Sequence, residues 1–336
     1  MNKQKQKPNY KAWAIDLDSF PHNSTEEDKL KFLLKFGVLA PSVHNTQPWI
    51  FEFKGSSLYI KNNISVSLEQ ADKGDYFQWF AIGMLIENIE QSAKYYGYKI
   101  IFDIIEDNNI KINLSKNDEP KIYDVQAILD RKSDKRAYNK KDIDSGLLNS
   151  LNNLDTPDNV NYFLKTYNDE EYSRIIDLHM KCVENIANDK EFVKELAGWT
   201  RSNITKSYDG MPGFVMGMPT LQSLIAPKLL KKKPEIFKKV IPKEKKLIDS
   251  ASGVLIVTVR EKNIQQMISA GIYAERLWLD IIRNNMVGHP MTALVHSEEY
   301  SEKLKTVLNT DLKPVFFMRI GYPNNLDGRN TPRRPA

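Results

Sequence analysis

APSVHNTQPW, residues 40–49, is the stretch of this chain that constrains its fold most strongly. It holds hydroxyl, imidazole and amide side chains in a set too polar for a core segment. Pro41 and Pro48 fix their own φ and disfavour helical backbone at the residue before each of them. The polar side chains therefore stand on a rigid, non-helical backbone, which is suited to holding a ligand.

The composition is that of a folded globular protein. The chain has 336 residues, of which 41% are hydrophobic and 27% charged, and this length favours about two structural units. Its longest apolar runs, such as 253–259, are too short to span a bilayer, and no apolar stretch follows the basic N-terminus as in a secretory signal. Cys182 is the only cysteine, which excludes an internal disulfide and a multi-cysteine metal site. We therefore expect a cytoplasmic protein with no membrane partner.

Charge and motifs exclude several other classes. The net charge of +5 is modest for this length; it favours anionic ligands and does not require nucleic acid, so we expect no nucleic-acid partner. No phosphate-loop, dinucleotide-binding or zinc-protease motif occurs. The five histidines lack metal-ligand spacing, and we expect no metal.

Hydrophobic periodicity predicts the elements around the opening stretch. Residues 1–24 form an irregular arm. Ser24 or Thr25 is placed to cap the first helix, and Asp75 with Gln78 resembles a capping box on the second. The predicted helices cover 26–39, 76–96, 123–130, 170–200 and 264–286, and the predicted strands cover 50–53, 58–60, 99–105, 110–114, 253–259 and 315–320.

The two long helices share a short pattern. Gly83 is followed four residues later by Glu87, and Gly271 is followed in the same way by Glu275. As a repeat signal this is weak, but it hints at two similar halves related by a pseudo-two-fold axis.

Three further segments carry polar or basic residues. RKSDKR, residues 131–136, combines cations and a hydroxyl that suit a phosphate dianion, although a basic hexamer alone is usually a solvated surface. GHPMTA, residues 288–293, follows the second long helix, and His289 taken alone is more often a structural histidine. TPRRP, residues 331–335, follows an RIGYP strand end at 319–323 and by itself reads as a frayed basic terminus.

The opening stretch resembles the APSxxNxQPW signature of the FMN-dependent nitroreductase superfamily. In that family the segment lines the flavin ring from the neighbouring half of a dimer. The resemblance implies FMN contacts from Ser42, His44 and Asn45, and we include Gln47 in the same cofactor-binding set. The alternative is a structural loop with proline corners.

The other segments are similar to the remaining cofactor elements of that superfamily. RKSDKR resembles its RRSxR element, which implies phosphate contacts from Arg131, Ser133 and Lys135. The basic C-terminus implies a further phosphate contact from Arg333, with Arg334 as the second match. GHPMTA occupies the place at which the family presents backbone N–H groups to the flavin N5 edge, which implies Thr292 and Ala293.

The order of the motifs differs from that of ordinary nitroreductases. There RRSxR precedes APSxxNxQPW, whereas here RKSDKR follows the opening stretch by about ninety residues. The chain is therefore similar to the fused-repeat, Acg-like branch, and the resemblance covers roughly 28–140 and 250–336. It implies an α+β, nitroreductase-like fold in which two half-subunits form a pseudo-dimer within one chain. The first half is 25–118 and carries APSVHNTQPW; the second is 119–336 and carries RKSDKR and the C-terminal PRRP.

The part between the matched regions is less regular. DGMPGFVMGMP, residues 209–219, combines hinge-like glycines with soft methionine side chains, and 228–246 is rich in lysine. We expect about 205–245 to form a lid over the flavin. A basic segment of this kind can touch a membrane or nucleic acid, but few aromatics interleave it, so we interpret it as a solvated helix face.

The resemblance implies an FMN-dependent oxidoreductase that takes two electrons from NAD(P)H and gives them to a nitroaromatic, a quinone or a similar small molecule. Electron transfer belongs to the cofactor, so no residue is assigned a catalytic role. If the lid closes permanently, the protein would instead bind or sequester flavin with little turnover. Without FMN binding, a structural or interaction module using the lysine-rich face remains. The sequence leaves open the acceptor, the choice between NADH and NADPH, and whether the chain is a monomer or a homodimer.

Overall fold

The structure, a computed structural model, describes residues 7–117, 124–325 and 328–336. Its helices are α1 Glu26–Gly37, α2 Tyr76–Tyr95, α3 Gln126–Asp130, α4 Ser145–Asn152, α5 Glu170–Asn188, α6 Lys190–Trp199, α7 Thr220–Lys232, α8 Ile241–Asp249, α9 Ile264–Arg283, α10 Ala293–His296 and α11 Glu298–Leu308. Its strands are β1 Trp49–Lys54, β2 Ser57–Asn62, β3 Tyr98–Ile104, β4 Ile110–Lys116, β5 Tyr138–Asn139, β6 Val160–Thr166, β7 Thr200–Arg201, β8 Met211–Pro212, β9 Gly253–Val259, β10 Val287–Pro290 and β11 Lys313–Pro323. The predicted start of the short third helix at Tyr123 lies outside the described residues.

The first sheet is built from residues 49–116. Its strands run in the order β1-β2-β4-β3, and every neighbouring pair is antiparallel. Gly55, with φ of 59°, makes the tight turn between β1 and β2, a left-handed conformation that glycine adopts without strain. The four strands predicted here from alternating hydrophobicity are confirmed.

The second sheet is built from the C-terminal part of the chain. Its order is β10-β11-β9-β6, with β5 beside β11, and all of these pairs are antiparallel. Every residue of β9 is buried, which explains the continuous apolar run at 253–259. The architecture is therefore α+β, with these two antiparallel sheets and a short parallel pair formed by β7 and β8, in agreement with the predicted class.

The two long helices, α2 and α9, pack against each other in the core. A Cβ at Gly83 would overlap the carbonyl oxygen of Ile268, and a Cβ at Gly271 would overlap that of Phe80. Since glycine lacks that atom, the helix backbones approach closely at this crossing. The glycines of the weak repeat thus meet at one place in the fold.

The two glutamates of the repeat are buried, and each forms an ion pair with an arginine. Glu87 on α2 accepts from the Nε and Nη2 of Arg276 on α9, each at 3.0 Å. Glu275 on α9 lies 2.8 Å from the Nε of Arg131, just after α3. The second pair joins the helix crossing to the basic run at 131–136.

The observed N-cap agrees with the sequence-based prediction for α1 and differs from it for α2. Thr25 caps α1, since its hydroxyl accepts from the backbone N–H of Asp28 at 3.2 Å. The predicted capping box at Asp75 is wrong, because Asp75 is left-handed with φ of 58° and makes no cap bond. The buried carboxylate of Asp72 accepts instead from the N–H groups of Phe77 and Gln78, each at 3.0 Å.

Several predicted boundaries also move. The predicted helix 170–200 is two helices, because Asp189 ends α5 and its side chain caps α6. The N-terminal arm is held by the buried side chains of Trp13 and Phe20. Within 7–117, 124–325 and 328–336, no helix has the length and apolar character needed to cross a membrane.

Candidate functional site

A cavity of about 720 Å³ lies between α2, the opening stretch and the segment around α7 and α8. Its volume is in the range of small-molecule and cofactor sites. Much of its wall is apolar, with Phe80, Met84 and Phe316 on the core side. Eight of the eleven predicted cofactor-binding residues line it: Ser42, His44, Asn45, Ser133, Lys135, Thr292, Ala293 and Arg333.

The opening stretch has an unusual backbone. His44, Asn45 and Gln47 have φ of 51°, 59° and 54°, a region that non-glycine residues seldom adopt. The hydroxyl of Ser42 accepts from the N–H of Gln47 at 2.9 Å and closes the turn. Such conformations persist only where surrounding contacts enforce them, and they concentrate at ligand sites.

Asn45 supplies several of those contacts. Its amide Nδ2 donates to the carbonyl oxygens of Gly210 and Pro332, each at 3.0 Å. Its Oδ1 accepts from Nη1 of Arg333 at 2.6 Å. One buried amide therefore joins the opening stretch, the glycine-rich loop and the C-terminus.

Gln47 and Arg334 stand outside the cavity wall and hold the same three segments together. Gln47 donates from Nε2 to the carbonyl oxygen of Tyr208 at 2.7 Å and accepts from the N–H of Arg334 at 2.7 Å. The guanidinium of Arg334 donates to the carbonyl oxygens of Thr46 and Gln47 and, at 2.8 Å, to the carboxylate of Asp209. Both side chains are occupied by protein contacts.

Arg131 is also outside the cavity wall. It is 1% exposed, its Nε lies 2.8 Å from Glu275, and its Nη2 donates to the carbonyl oxygen of Leu39 at 2.5 Å. Its guanidinium stacks on the ring of Trp278, 4.8 Å from the centroid. Burial raises the pKa of the Glu275 carboxyl, and the Arg131 cation opposes that rise.

Arg333 is buried at the cavity wall with part of its guanidinium unused. It is 3% exposed; its Nη1 donates to Asn45 and to Oγ1 of Thr331, and its Nη2 donates to the carbonyl oxygen of Leu39. Its buried Nε has no hydrogen-bond partner among the described residues. Burial and the nearby Arg131 cation lower the pKa of Arg333 to about 9. A buried cation with a spare donor is a good partner for an anion.

Ser133 and Lys135 reach the cavity beside β10. An isolated parallel β-bridge pairs Ser133 with Gly288. The N–H of Asp134 also donates to the carbonyl oxygen of Gly288 at 3.0 Å, so these contacts position residues 133–134 beside β10. Burial lowers the pKa of the Lys135 ammonium, and the carboxylate of Glu244 opposes this. In the described part of the chain Lys135 has no hydrogen bond and no close ion pair.

Four of the five histidines line the cavity: His44, His179, His289 and His296. Burial, with the Lys135 cation, lowers the pKa of His44 to about 3, and burial also lowers the pKa of His296 to about 3. Burial lowers the pKa of His289 as well, so these three imidazoles are neutral near pH 7. Within the described ranges, the Nε2 atoms of His44, His179 and His296 are buried without a hydrogen-bond partner.

The sequence missed His179 and His296 as cavity residues. His179 lies in the middle of an amphipathic helix, α5, and faces Glu244 with 3.7 Å between Nε2 and Oε1. His296 ends α10 and packs on the ring of Phe77, 4.1 Å between centroids. Neither stands in a motif, so only the tertiary fold brings them to the site.

Thr292 and Ala293 reach the cavity at the start of α10. The first N–H groups of any helix have no acceptor within that helix. The N–H groups of Thr292 and Ala293 thus have no acceptor within α10, and both residues line the cavity.

The segment predicted as a lid forms one wall of the cavity. It contributes a 3-10 turn at Gly213–Met216, α7, a 3-10 helix at Pro234–Val240 and the start of α8. Its side chains on the cavity are chiefly apolar, with two lysines and Glu244 among them. Met216, Met218, Leu230, Phe237, Lys239 and Lys243 are examples.

Comparison with known proteins gives distant structural likeness only. The sequence matches no family model and no curated protein. Among solved structures, it is similar to the FMN- and NADPH-dependent nitroreductase NfnB from Sphigopyxis sp. strain HMH, with 12% identity, TM-score 0.42, and coverage of 62% of this chain and 93% of that one.

Two further solved structures match in the same way. A nitroreductase with bound FMN from Desulfitobacterium hafniense DCB-2 has 10% identity, TM-score 0.40, and coverage of 63% and 93% of the two chains. A BluB-like flavoprotein from Clostridium difficile 630 has 12% identity, TM-score 0.40, and coverage of 63% and 94%. Each of these three likenesses covers 62% or 63% of this chain.

Proposed function

We propose that this chain is a cytoplasmic FMN-binding oxidoreductase of nitroreductase type. It would take two electrons from NAD(P)H and pass them to a nitroaromatic, a quinone or a similar small molecule. The observation that carries the proposal is the meeting, at one cavity, of residues from the four sequence segments that resemble nitroreductase cofactor elements. Ser42, His44 and Asn45 come from the first, Ser133 and Lys135 from the second, Thr292 and Ala293 from the third, and Arg333 from the fourth.

The polar groups of this cavity fit FMN. Arg333 offers a buried cation with an unpartnered Nε, and Ser133 offers a hydroxyl at the same cavity. A phosphate dianion would accept from both, in the charge-assisted way that favours arginine. Because Arg131 is already paired with Glu275, we assign it the role of positioning this region.

Lys135 stands in a different charge environment from Arg333. Its pKa responds to Glu244, Arg319 and Lys243, and it acts on the pKa of His44 and His289. The pKa of Arg333 responds instead to Arg131 and Glu275. We place the phosphate at Ser133 and Arg333 and the flavin ring near His44, so that Lys135 offsets negative charge on the bound cofactor.

FMN would supply the electron transfer when bound, and the chain would bind, orient and shield it. Neutral His44 has a buried Nε2 able to take part in a hydrogen bond to the ring. Backbone N–H groups at Thr292 and Ala293 would face its N5 edge. The apolar walls keep water from the reacting face.

The proposed fold is nitroreductase-like, with half-subunits 25–118 and 119–336 in one chain. In support, each proposed half holds one multistranded antiparallel sheet, and α2 of the first half crosses α9 of the second, with Gly83 against Gly271. The opening stretch lies in the first half, and Ser133, Lys135 and Arg333 lie in the second. One chain would therefore complete one flavin site as a monomer, and a homodimer would not be required.

A second candidate is a flavin-binding protein with little turnover. It is favoured by the wall formed by the segment about 205–245, which we propose acts as a lid. If this lid stayed shut, bound flavin would not meet NAD(P)H or an acceptor.

The test is one cycle of flavin reduction and reoxidation, monitored by the absorbance of the flavin. The purified protein, loaded with FMN, is yellow; anaerobic NADPH or NADH should bleach it, and a nitroaromatic or quinone should restore the colour. Persistent yellow without bleaching by either nucleotide supports the flavin-binding protein. Failure to take up FMN contradicts both candidates.

A further inference from the structure

The outer face of α7 is an apolar surface that nothing in the described chain covers. Leu221 is 81% exposed and Ile225 is 60% exposed, and Leu224 and Leu229 beside them are also exposed. These positions, with Lys228 and Lys232, follow the spacing i, i+3, i+4, i+7, i+8 and i+11, so they share one helix face. We call this set the α7 face.

The opposite side of the same helix is buried. Ser223, Ala226 and Leu230 pack inward, and Leu230 and Ala226 reach the cavity. A helix that is apolar on both sides is normally covered on both sides. The α7 face therefore has the character of a contact surface.

Charge decides which occupant fits the α7 face. The helix sequence TLQSLIAPKLLKK contains no acidic residue, and Lys228, Lys231 and Lys232 are all exposed. Lys233 follows directly and is also exposed. In an antiparallel contact with a second copy, Lys232 would face Leu221 and find no countercharge. An anionic lipid surface offers both an apolar layer and countercharges.

The α7 face is also continuous with the cavity. Ile225 and Leu229 are exposed and also line the cavity. An apolar compound entering here would pass from one apolar environment to another without crossing water.

We propose that the α7 face docks on an anionic membrane surface and that a lipophilic acceptor enters the cavity from the lipid. This part rests on the proposed function, in which an acceptor of quinone type would react as quinone + NAD(P)H + H⁺ → quinol + NAD(P)⁺. The docking is peripheral, through an interfacial helix. This proposed docking differs from the sequence-based expectation that the chain has no membrane partner. That expectation does not take account of the exposure of Leu221 and Ile225, which only the structure shows.

Vesicle co-sedimentation tests the docking without any redox step. FMN-loaded protein is mixed with vesicles of pure phosphatidylcholine, or of phosphatidylcholine with about one third phosphatidylglycerol. Binding to the anionic vesicles is expected at low salt and should fall at least fivefold near 0.5 M salt, roughly where screening becomes strong. No binding to the anionic vesicles at low salt would overturn the proposal.

Two matched variants separate the apolar and basic contributions. The double variant L221Q/L224Q should bind anionic vesicles about tenfold more weakly. Its control, I64Q/I101Q, removes two exposed isoleucines elsewhere and should bind like the parent. The double variant K231E/K232E should also lose binding to anionic vesicles. Its control, K73E/K99E, reverses two exposed lysine charges elsewhere and should lose much less binding. All four sets avoid the cavity wall, and each should keep the parent's FMN affinity and melting temperature.

Other results point to other occupants and would contradict the proposal. If L221Q/L224Q bound as well as the parent while K231E/K232E did not, the surface would be a general polyanion site. If the parent did not bind vesicles but formed a dimer, and L221Q/L224Q were a monomer, the occupant of the α7 face would be a second copy of the chain. Vesicle binding by a protein that cannot bind FMN would leave the docking intact and overturn the proposed function alone.

Discussion

Arg131 and Arg333 donate hydrogen bonds to the same acceptor, the carbonyl oxygen of Leu39, at 2.5 Å and 3.1 Å. Both guanidinium groups are buried, and Glu275 pairs with Arg131. Two buried cations beside one carboxylate leave uncompensated positive charge, which is costly in a medium of low dielectric. A bound phosphate at the spare Nε of Arg333 would offset this cost, so cofactor binding and the stability of this region should be linked.

Replacing Arg333 tests the phosphate contact. R333Q should weaken FMN binding by roughly 10- to 100-fold, because it removes a charge-assisted hydrogen bond. Riboflavin, which lacks the phosphate, should be affected far less, so the preference for FMN over riboflavin should fall. Fluorescence titration with the two flavins measures both affinities.

Arg334 provides the matched control. Its guanidinium holds Thr46, Gln47 and Asp209 and does not line the cavity. R334Q should therefore lower the melting temperature and leave the FMN-to-riboflavin preference near that of the parent. Equal loss of preference in the two variants would contradict the assignment of the phosphate to Arg333.

The glycine crossing makes a prediction about stability. G83A or G271A should destabilise the protein by about 2 kcal/mol or more, because the added methyl overlaps a backbone carbonyl that cannot move freely. In contrast, a Cβ at the exposed helical Gly198 meets nothing within 4 Å. G198A should leave stability unchanged or raise it by up to about 1 kcal/mol. Urea unfolding of the three variants measures these free energies. Equal stabilities of G83A, G271A and G198A would show that α2 and α9 are not closely packed at this crossing.

Asp72 provides a test of the observed cap on α2. D72A should cost about 1–2 kcal/mol, the usual value of a helix cap, because two backbone N–H groups lose their acceptor. D75N keeps a side chain that tolerates left-handed backbone and should cost less than about 0.5 kcal/mol. The reverse order in thermal or urea unfolding would restore the predicted capping box.

The buried imidazoles make stability depend on pH. In the folded chain the pKa of His44 and His296 is about 3, against an ordinary value of 6.5, because burial disfavours the charged form. The unfolded chain thus binds more protons between these values, and folding stability falls as pH drops through that window. Each histidine contributes a loss of up to about 2 kcal/mol between pH 7 and pH 5.

The variant H296Q isolates this contribution. Its free energy of unfolding should fall less than the parent's between pH 7 and pH 5. An identical slope in the parent and H296Q would show that His296 titrates normally in the folded protein.

Much of the fold is readable from the sequence because its signals are local. The strands at β1, β2 and β9 follow from alternating or continuous apolar residues, and α2 and α9 follow from long helical periodicity. The failure at Asp75 has a physical reason: a left-handed residue there lets Asp72, three positions earlier, reach the first N–H groups of α2. A positive φ at a single residue such as Asp75 cannot be predicted from the hydrophobic periodicity of the sequence.

The site is readable only in part for a different reason. Ser42, His44 and Arg333 stand in segments that resemble nitroreductase cofactor elements, so this resemblance singles them out. The pairing of Arg131 with Glu275 joins positions 144 residues apart, from 131 to 275, and needs the fold. His179 and His296 likewise reach the cavity only through packing of α5 and α10.

The structure of the FMN complex is the most direct test of the central claim. It should place the flavin in the cavity beside His44, with the phosphate accepting hydrogen bonds of roughly 2.7–3.2 Å from Ser133 and Nε of Arg333. A phosphate bound instead on Lys239 and Lys243, or a flavin outside this cavity, would contradict it.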